Sequence, residues 1–515
     1  MDPYATSAFL DSSCFSILYP LYHNSDFMNQ LQPQAPLQHH HDHGANAPQR
    51  RAGASYRIGP TGQREILSKA VGIPRPLPIS LATITQGVKR GSAGRANREP
   101  PSNSSFISRM YSAQIPNQSF PPNLLAQALD KEFNILQADD YFINDLFPTK
   151  LLPSGMSDET VIAELSKQNI WNEDRNCFRD TPSSLDESHL AAWLNSIGTT
   201  LGKAFGHEPL RLWSHRSCDT PPVGASSSII RKPDLILLDK KHHDETQDPR
   251  HQMDWAFIRA IGEVTRSSSI SKRMIDSINS KSYLMFLCQY NRRFAVALSF
   301  TGAEKESFRL TVTDREGQIH WTVGLGSNAA RSRERSILFL RILLVLMFGR
   351  SMDIGLDPNI EIDYTGKCVA ITVEGKRFEV VDLIYSLNSV VGRGTRIWMV
   401  MRDGVSYTLK DCWIQHERVH SEITILKKIK ESKQFTGRVP TLFCGGDVQI
   451  NGVVDSTHLY RHGLPGWWSK GQRIHRQLVC TPIGEPLSKY RSKKEFIKAI
   501  CSVITSASLY SQRVW

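Results

Sequence analysis

The chain has 515 residues, 40% of them hydrophobic and 22% charged, with a formal net charge of +12 at pH 7. That length suits two or three domains, and the composition is that of a globular protein able to bury a sizeable core. It excludes a membrane span of ordinary length, since the best apolar run, Ser336–Phe348, is broken by Arg341.

The N-terminus carries no basic region ahead of an apolar core, so a secretory signal is not expected. The nine cysteines are odd in number, scattered and never spaced C-x-x-C, which predicts free thiols in a reducing compartment, cytoplasm or nucleus. From Asn388 onward there are 20 Lys+Arg against 9 Asp+Glu, so most of the net positive charge comes from the last quarter. Such a surface suits a phosphate ligand or nucleic acid, unless an acidic portion that would balance it is missing.

Residues 1–120 are rich in Pro, Gln, Ser, Asn and Gly without a sustained period, and disorder is expected there. His39, His40, His41 and His43 could bind a metal weakly or form a solvated polar tract, as no partner ligands follow at a fixed spacing. Residues 121–181 read as a helical lead-in, with helices over Asn123–Leu136 and Ser157–Lys167. The second opens on a Ser/Asp cap.

Residues 182–350 read as a mixed α/β domain. Leu190, Trp193, Leu194, Ile197 and Leu201 predict a helix over Ser184–Phe205. Strands are predicted at Arg211–Ser214, Lys232–Leu238 and Trp255–Val264, a helix at Ser271–Tyr290, and a strand at Phe294–Phe300. Phe308–Asp314 and Ile319–Leu325 form a hairpin around Arg315-Glu316-Gly317-Gln318. Arg333–Phe348 closes the region as an apolar helix. The order helix, strand, Pro-Asp strand, Glu strand, helix, strand resembles the PD-(D/E)xK nuclease-like core. That resemblance implies metal-binding carboxylates at Asp234 and Glu263, with Glu187 as a further ligand. It also calls for a water-positioning lysine where this chain has Thr265, followed by Arg266, and arginine is a poor substitute for that amine.

Residues 351–389 form a connection containing a hairpin, Val369–Val373 with Arg377–Val381. Beyond it lies Gly392-Arg393-Gly394-Thr395, whose glycines can bring bare backbone N–H groups against phosphate oxygens. A strand at Ile397–Met401 and a second one ending on Lys410 follow. Twelve residues later Glu422 sits in a helix whose apolar face holds Ile423, Leu426 and Ile429. A G-x-G alone is weak, because Ile397 and Trp398 stand where a third glycine would help. The loop, lysine and glutamate together are more specific than any one of them.

These blocks, with Val439-Pro440-Thr441-Leu442, Arg473…His475-Arg476 and Thr481 through Leu487, resemble the fungal-type protein kinase domain family. Upstream, Gln289 through Phe294 and Asp314-Arg315-Glu316-Gly317 resemble the same family. The resemblance implies an ATP-dependent Ser/Thr phosphotransferase ancestry using ATP and Mg2+. Gly392, Arg393, Gly394 and Thr395 would cover the phosphates, Lys410 would contact them, and Glu422 would pair with Lys410. Ile483–Leu487 would form the hinge. The whole reads as an α+β multidomain protein: a disordered N-terminal region, the nuclease-like domain, and over 390–515 a protein-kinase-like N-lobe with an incomplete C-lobe. No His-Arg-Asp and no Asp-Phe-Gly occurs in the sequence, so a catalytically incomplete kinase relative, truncated before its catalytic loop, is expected. The alternatives are a nuclease-like or nucleic-acid-binding protein using Asp234 and Glu263, and a non-catalytic scaffold.

Overall fold

The computed structural model describes Leu129 and residues 133–513, apart from 180–181, 183–185, 225–228, 249, 268, 303–306, 325–331, 388, 418–420, 433–438, 465–466, 468–470 and 485–489. The expectations for the first 120 residues and the histidine cluster, and part of the hinge, lie outside the described residues.

Sheet one contains β1 (Asn134–Gln137), β2 (Arg211–Ser214), β3 (Leu235–Asp239), β4 (Ile258–Thr265), β5 (Ala295–Thr301), β6 (Ser307–Asp314) and β7 (Gly317–Gly324). Its spatial order is β1-β7-β6-β5-β4-β3-β2. Helices α1 (Asp140–Leu146), α2 (Asp158–Lys167), α3 (Glu187–Phe205), α4 (Lys240–Glu245), α5 (Lys272–Cys288) and α6 (Ser332–Phe348) accompany it. Helix α5 carries the chain over so that β5 joins β4 in parallel. The predicted order of helix and strand through this region is observed, with α4 as an additional short helix that the sequence reading did not include.

The sheet is covered on both faces. On one, Leu194, Ile197 and Leu201 of α3 and Phe339, Leu343 and Val345 of α6 join Leu235, Leu237, Val296 and Leu310. On the other, Met274, Ile278 and Leu284 of α5 meet Ile236, Leu238, Ile261 and Ala297. Burial from both sides explains why β3 and β5 are continuous apolar runs rather than alternating ones.

Ser157 caps α2 in a capping box with Thr160. Arg341, the residue that interrupts the apolar run, is used where it stands. Its guanidinium pairs with Asp158 at the start of α2 and donates to Asn144 Oδ1 at 2.5 Å.

Two expectations need correction. Asn134–Leu136 was predicted as the end of a helix, but it lies in β1 and pairs in parallel with Gly317–His320. Pairing along the edge of β7 overrides the expected helix at these residues. Trp255–Phe257 forms a short 3-10 turn before β4 begins, with Asp254 capping it through Ala256 N–H.

Sheet two contains β8 (Ile360–Ile362), β9 (Cys368–Val373), β10 (Lys376–Ser386), β11 (Arg396–Arg402), β12 (Val405–Gln415), β13 (Thr441–Asp447) and β14 (Arg473–Thr481). Its order is β8-β9-β10-β11-β12-β14-β13, and all its neighbours are antiparallel. Helix α7 (Glu422–Ser432) connects β12 to β13, and the short α8 (His458–Arg461) lies between β13 and β14. Helix α9 spans Lys493–Arg513, with Ile497 and Ile504 exposed. Among the described residues no helix is long and apolar enough to cross a membrane.

Candidate functional site

Strand β12 runs five residues beyond Lys410, so the lysine sits inside the strand rather than at its end. It lies opposite Ile397 on β11 and Leu478 on β14. Glu422 is the first residue of α7, which Ser421 caps by accepting Thr424 N–H at 3.0 Å. Ile423 and Leu426 seat the helix on Leu442, Leu478 and Cys480. The result is a Lys410 Nζ to Glu422 Oε2 contact of 2.6 Å, with side chains only 5% and 11% exposed. The carboxylate also stands at a helix N-terminus, where negative charge is favoured.

The glycine loop spans residues 387–395. It connects Ser386 and Arg396, which pair across β10 and β11. Gly392 (φ +108°) and Gly394 (φ +48°) adopt the left-handed conformations that glycine tolerates best. Their immediate neighbour is the β6–β7 turn. Gly392 N–H donates to Arg315 O at 2.8 Å, and Arg315 Nη1 donates to Ser389 O at 2.8 Å and Val390 O at 3.2 Å. A Cβ on Gly394 would stand 2.4 Å from the Arg315 guanidinium carbon. Arg393 O accepts Trp413 N–H at 2.7 Å, and Thr395 is buried with its carbonyl accepting Leu387 N–H at 2.8 Å.

On the face of β12 opposite Lys410, Asp411 begins a buried charged lattice. His475 reaches Asp411 Oδ1 through Nε2 at 2.7 Å and Asp455 Oδ2 through Nδ1 at 3.0 Å. Its ring stacks on Trp413 at 4.6 Å between centroids. Arg293, just ahead of β5, donates to Asp455 at 2.9 and 2.6 Å and to Tyr460 Oη. Arg461 forks onto Asp314 at 2.8 and 2.7 Å, while Glu316 accepts from Thr457 and Trp467. Burial alone would pull the His475 imidazolium down. Asp411 and Asp455 outweigh it and hold its pKa up to about 10. Burial likewise opposes ionisation of Asp455, and Arg293 and His475 hold it well below the usual carboxylate range. Asp357, 3.9 Å from His475, is raised by burial.

None of these lattice residues was assigned a role from sequence, although several lie in blocks that carry the family resemblance: Gln289–Phe294, Asp314–Gly317 and Arg473–Arg476. A charged residue inside an otherwise strand-like apolar block is the signal that could have marked them.

The two carboxylates upstream do come together. Asp234 Oδ2 accepts Val264 N–H at 2.7 Å, next to Glu263 on β4. Glu263 is buried, pairs through Oε1 with Lys281 Nζ of α5, and accepts Ser277 Oγ–H on Oε2 at 2.9 Å. Burial raises both carboxyl pKa values; Lys281 opposes the rise, while Glu187 adds to that of Asp234. Thus Lys281, missed from sequence because it sits on a helix, supplies an ammonium where Thr265 does not. As a divalent-metal site the arrangement fits poorly, because both Glu263 oxygens are already engaged. Among the described residues, no group of three or more His, Cys, Asp or Glu is disposed to hold a metal ion.

Residues 232–467 match the model of the family described as fungal protein kinase. The match begins beside Asp234 and ends at Trp467, so it takes in most of both sheets and much of the lattice, but not β14 with His475. That stretch, somewhat under half of the chain, is what is similar to the fungal protein kinase family. No curated protein and no solved structure matches the chain.

Proposed function

We propose that sheet two is a kinase-like nucleotide-binding lobe that takes ATP, with Mg2+ carried on its phosphates. The observation that carries this reading is the buried Lys410–Glu422 pair, which ties an inner strand to the helix following it. The strand order β10-β11-β12-β14-β13, with α7 between β12 and β13, supports it. Lys410 would meet phosphate oxygens, Glu422 would fix its ammonium, and Gly392–Thr395 would lie over the phosphates. The sequence holds no His-Arg-Asp to orient a substrate hydroxyl and no Asp-Phe-Gly to anchor the metal. We therefore assign binding to these residues and do not assign phosphoryl transfer. The test is thermal unfolding of the full chain with ATP and Mg2+. A hundredfold excess over Kd should stabilise by about 2.7 kcal/mol, and Lys410→Met should remove the shift. No shift in the wild type would refute the reading.

A second reading, metal-dependent nucleic-acid cleavage through Asp234 and Glu263, has against it the engagement of both Glu263 oxygens by Lys281 and Ser277. Cleavage in Mg2+ or Mn2+ that Asp234→Ala abolishes would support it, and inactivity in both metals would exclude it. If nucleotide and nuclease assays are both blank, a non-catalytic scaffold is what remains.

A further inference from the structure

We propose that Arg315 is a positioning residue and a built-in latch: the β6–β7 turn holds the glycine loop in a state whose Gly392 N–H is withheld from a phosphate. The direction of the effect on nucleotide rests on the ATP reading above; the latch itself does not.

Three contacts join the turn to the loop. The Gly392 N–H is used by Arg315 O, two loop carbonyls are held by Arg315 Nη1, and Gly394 leaves room for the guanidinium, which a side chain would displace. On its other side the guanidinium lies over the Phe286 ring, 4.7 Å from its centroid. The turn is itself anchored from the β13–β14 connection. Arg461 forks onto Asp314, and Thr457 and Trp467 donate to Glu316. Sheet two therefore grips the turn from two places, the glycine loop and the segment around α8. The guanidinium remains charged at neutral pH despite its burial. Asp411 and Asp314 attract it, while Arg396 and Arg473 repel it. A buried cation held mainly by carbonyl oxygens is costly to leave in place once the loop moves away, so loop and turn should move together.

This makes the glycines at 392 and 394 joinery for an intramolecular contact. A phosphate seeking the Gly392 N–H has to displace Arg315 O. Releasing the latch should free that donor and tighten nucleotide binding.

The test uses the full chain, comparing wild type with Arg315→Met, which removes the Nη1 donor to the two loop carbonyls and leaves the main-chain carbonyl at 315 as the loop's remaining tie to the turn. Gly394→Ala provides an independent perturbation from the other side of the contact. Amide hydrogen exchange is followed over 387–395, with Val405–Gln415 as the internal reference, alongside titration with a fluorescent ATP analogue in Mg2+. Both variants are expected to raise exchange in the loop at least tenfold without altering the reference strand, and to lower the analogue Kd at least threefold. Unchanged loop exchange overturns the latch. So does a rise spread equally over the reference strand, which would make Arg315 a general structural pin. Faster loop exchange with weaker nucleotide binding overturns the withholding role. If no form of the protein binds nucleotide while the loop alone loosens, the ATP reading fails and the latch stands.

Discussion

Lys410 and Glu422 show why a buried ion pair says more about function than about stability. Removing two charges from water costs several kcal/mol per ion, and mutual attraction recovers that only with good geometry. At 2.6 Å and nearly complete burial the pair is close to that limit. A well-packed apolar pair would hold α7 on β12 with less risk, so retaining the charges is more readily explained by a ligand that needs the ammonium. The expected signature is a double-mutant cycle measured by urea unfolding. Lys410→Met or Glu422→Leu alone should each cost about 3–5 kcal/mol, because each leaves a buried charge without its partner. The double variant should cost less than either single one. Additive costs would mean that the two side chains do not act as a pair.

At the level of elements, sequence and structure agree where the hydrophobic period reports burial and part where pairing across the chain decides. Helices α2, α3, α5 and α6 and strands β2 to β7 fall close to their predicted bounds, since their apolar faces meet a layer of matching period. Strand β1 was not legible: Asn134–Gln137 is extended only because the edge of β7 accepts it. The Lys410–Glu422 pair could be anticipated from types and spacing, as the lysine lies in a strand and the glutamate opens the next helix. Lys281 could not, because its partner Glu263 is 18 residues away across a strand-to-helix crossover. The lattice was invisible for the same reason on a larger scale, with Arg293 and Asp455 separated by 162 positions. Arg341 belongs to this scale too. It reads as a flaw in an apolar helix, yet it fastens α6 to the first turn of α2. Arg341→Met should fill the space and still cost about 2 kcal/mol, the worth of hydrogen bonds to a charged group at a partly exposed partner. Asp158→Ala in the same background should then add little. Independent, full-sized losses at the two positions would separate them.

For the whole molecule the governing feature is that the two sheets are joined by buried charges rather than by an apolar seam alone. Arg293 and Asp314 come from sheet one or its margin, while Asp411, Asp455, Arg461 and His475 come from sheet two and its connections. Such a joint is specific, since a shifted docking would strand several charges, and it is titratable. The folded His475 pKa of about 10 lies above its unfolded value of about 6.5, so its contribution is fully present below pH 6.5 and is lost as pH rises through 10. Asp411 and Asp455 are shifted the other way. Their contribution is present above the unfolded carboxylate pKa of about 4 and fades as pH falls further. Stability should therefore be greatest between about pH 4 and 6.5 and decline on both sides. His475→Phe keeps the ring on Trp413 but abandons both carboxylates. It should lower the melting temperature at pH 6 and flatten the decline between pH 7 and 10, while Arg293→Met should lower stability without removing that alkaline slope. An alkaline slope that persists in His475→Phe would place the titrating group elsewhere. A wild type equally stable at pH 6 and pH 10 would mean that the histidine carries no net coupling to the fold.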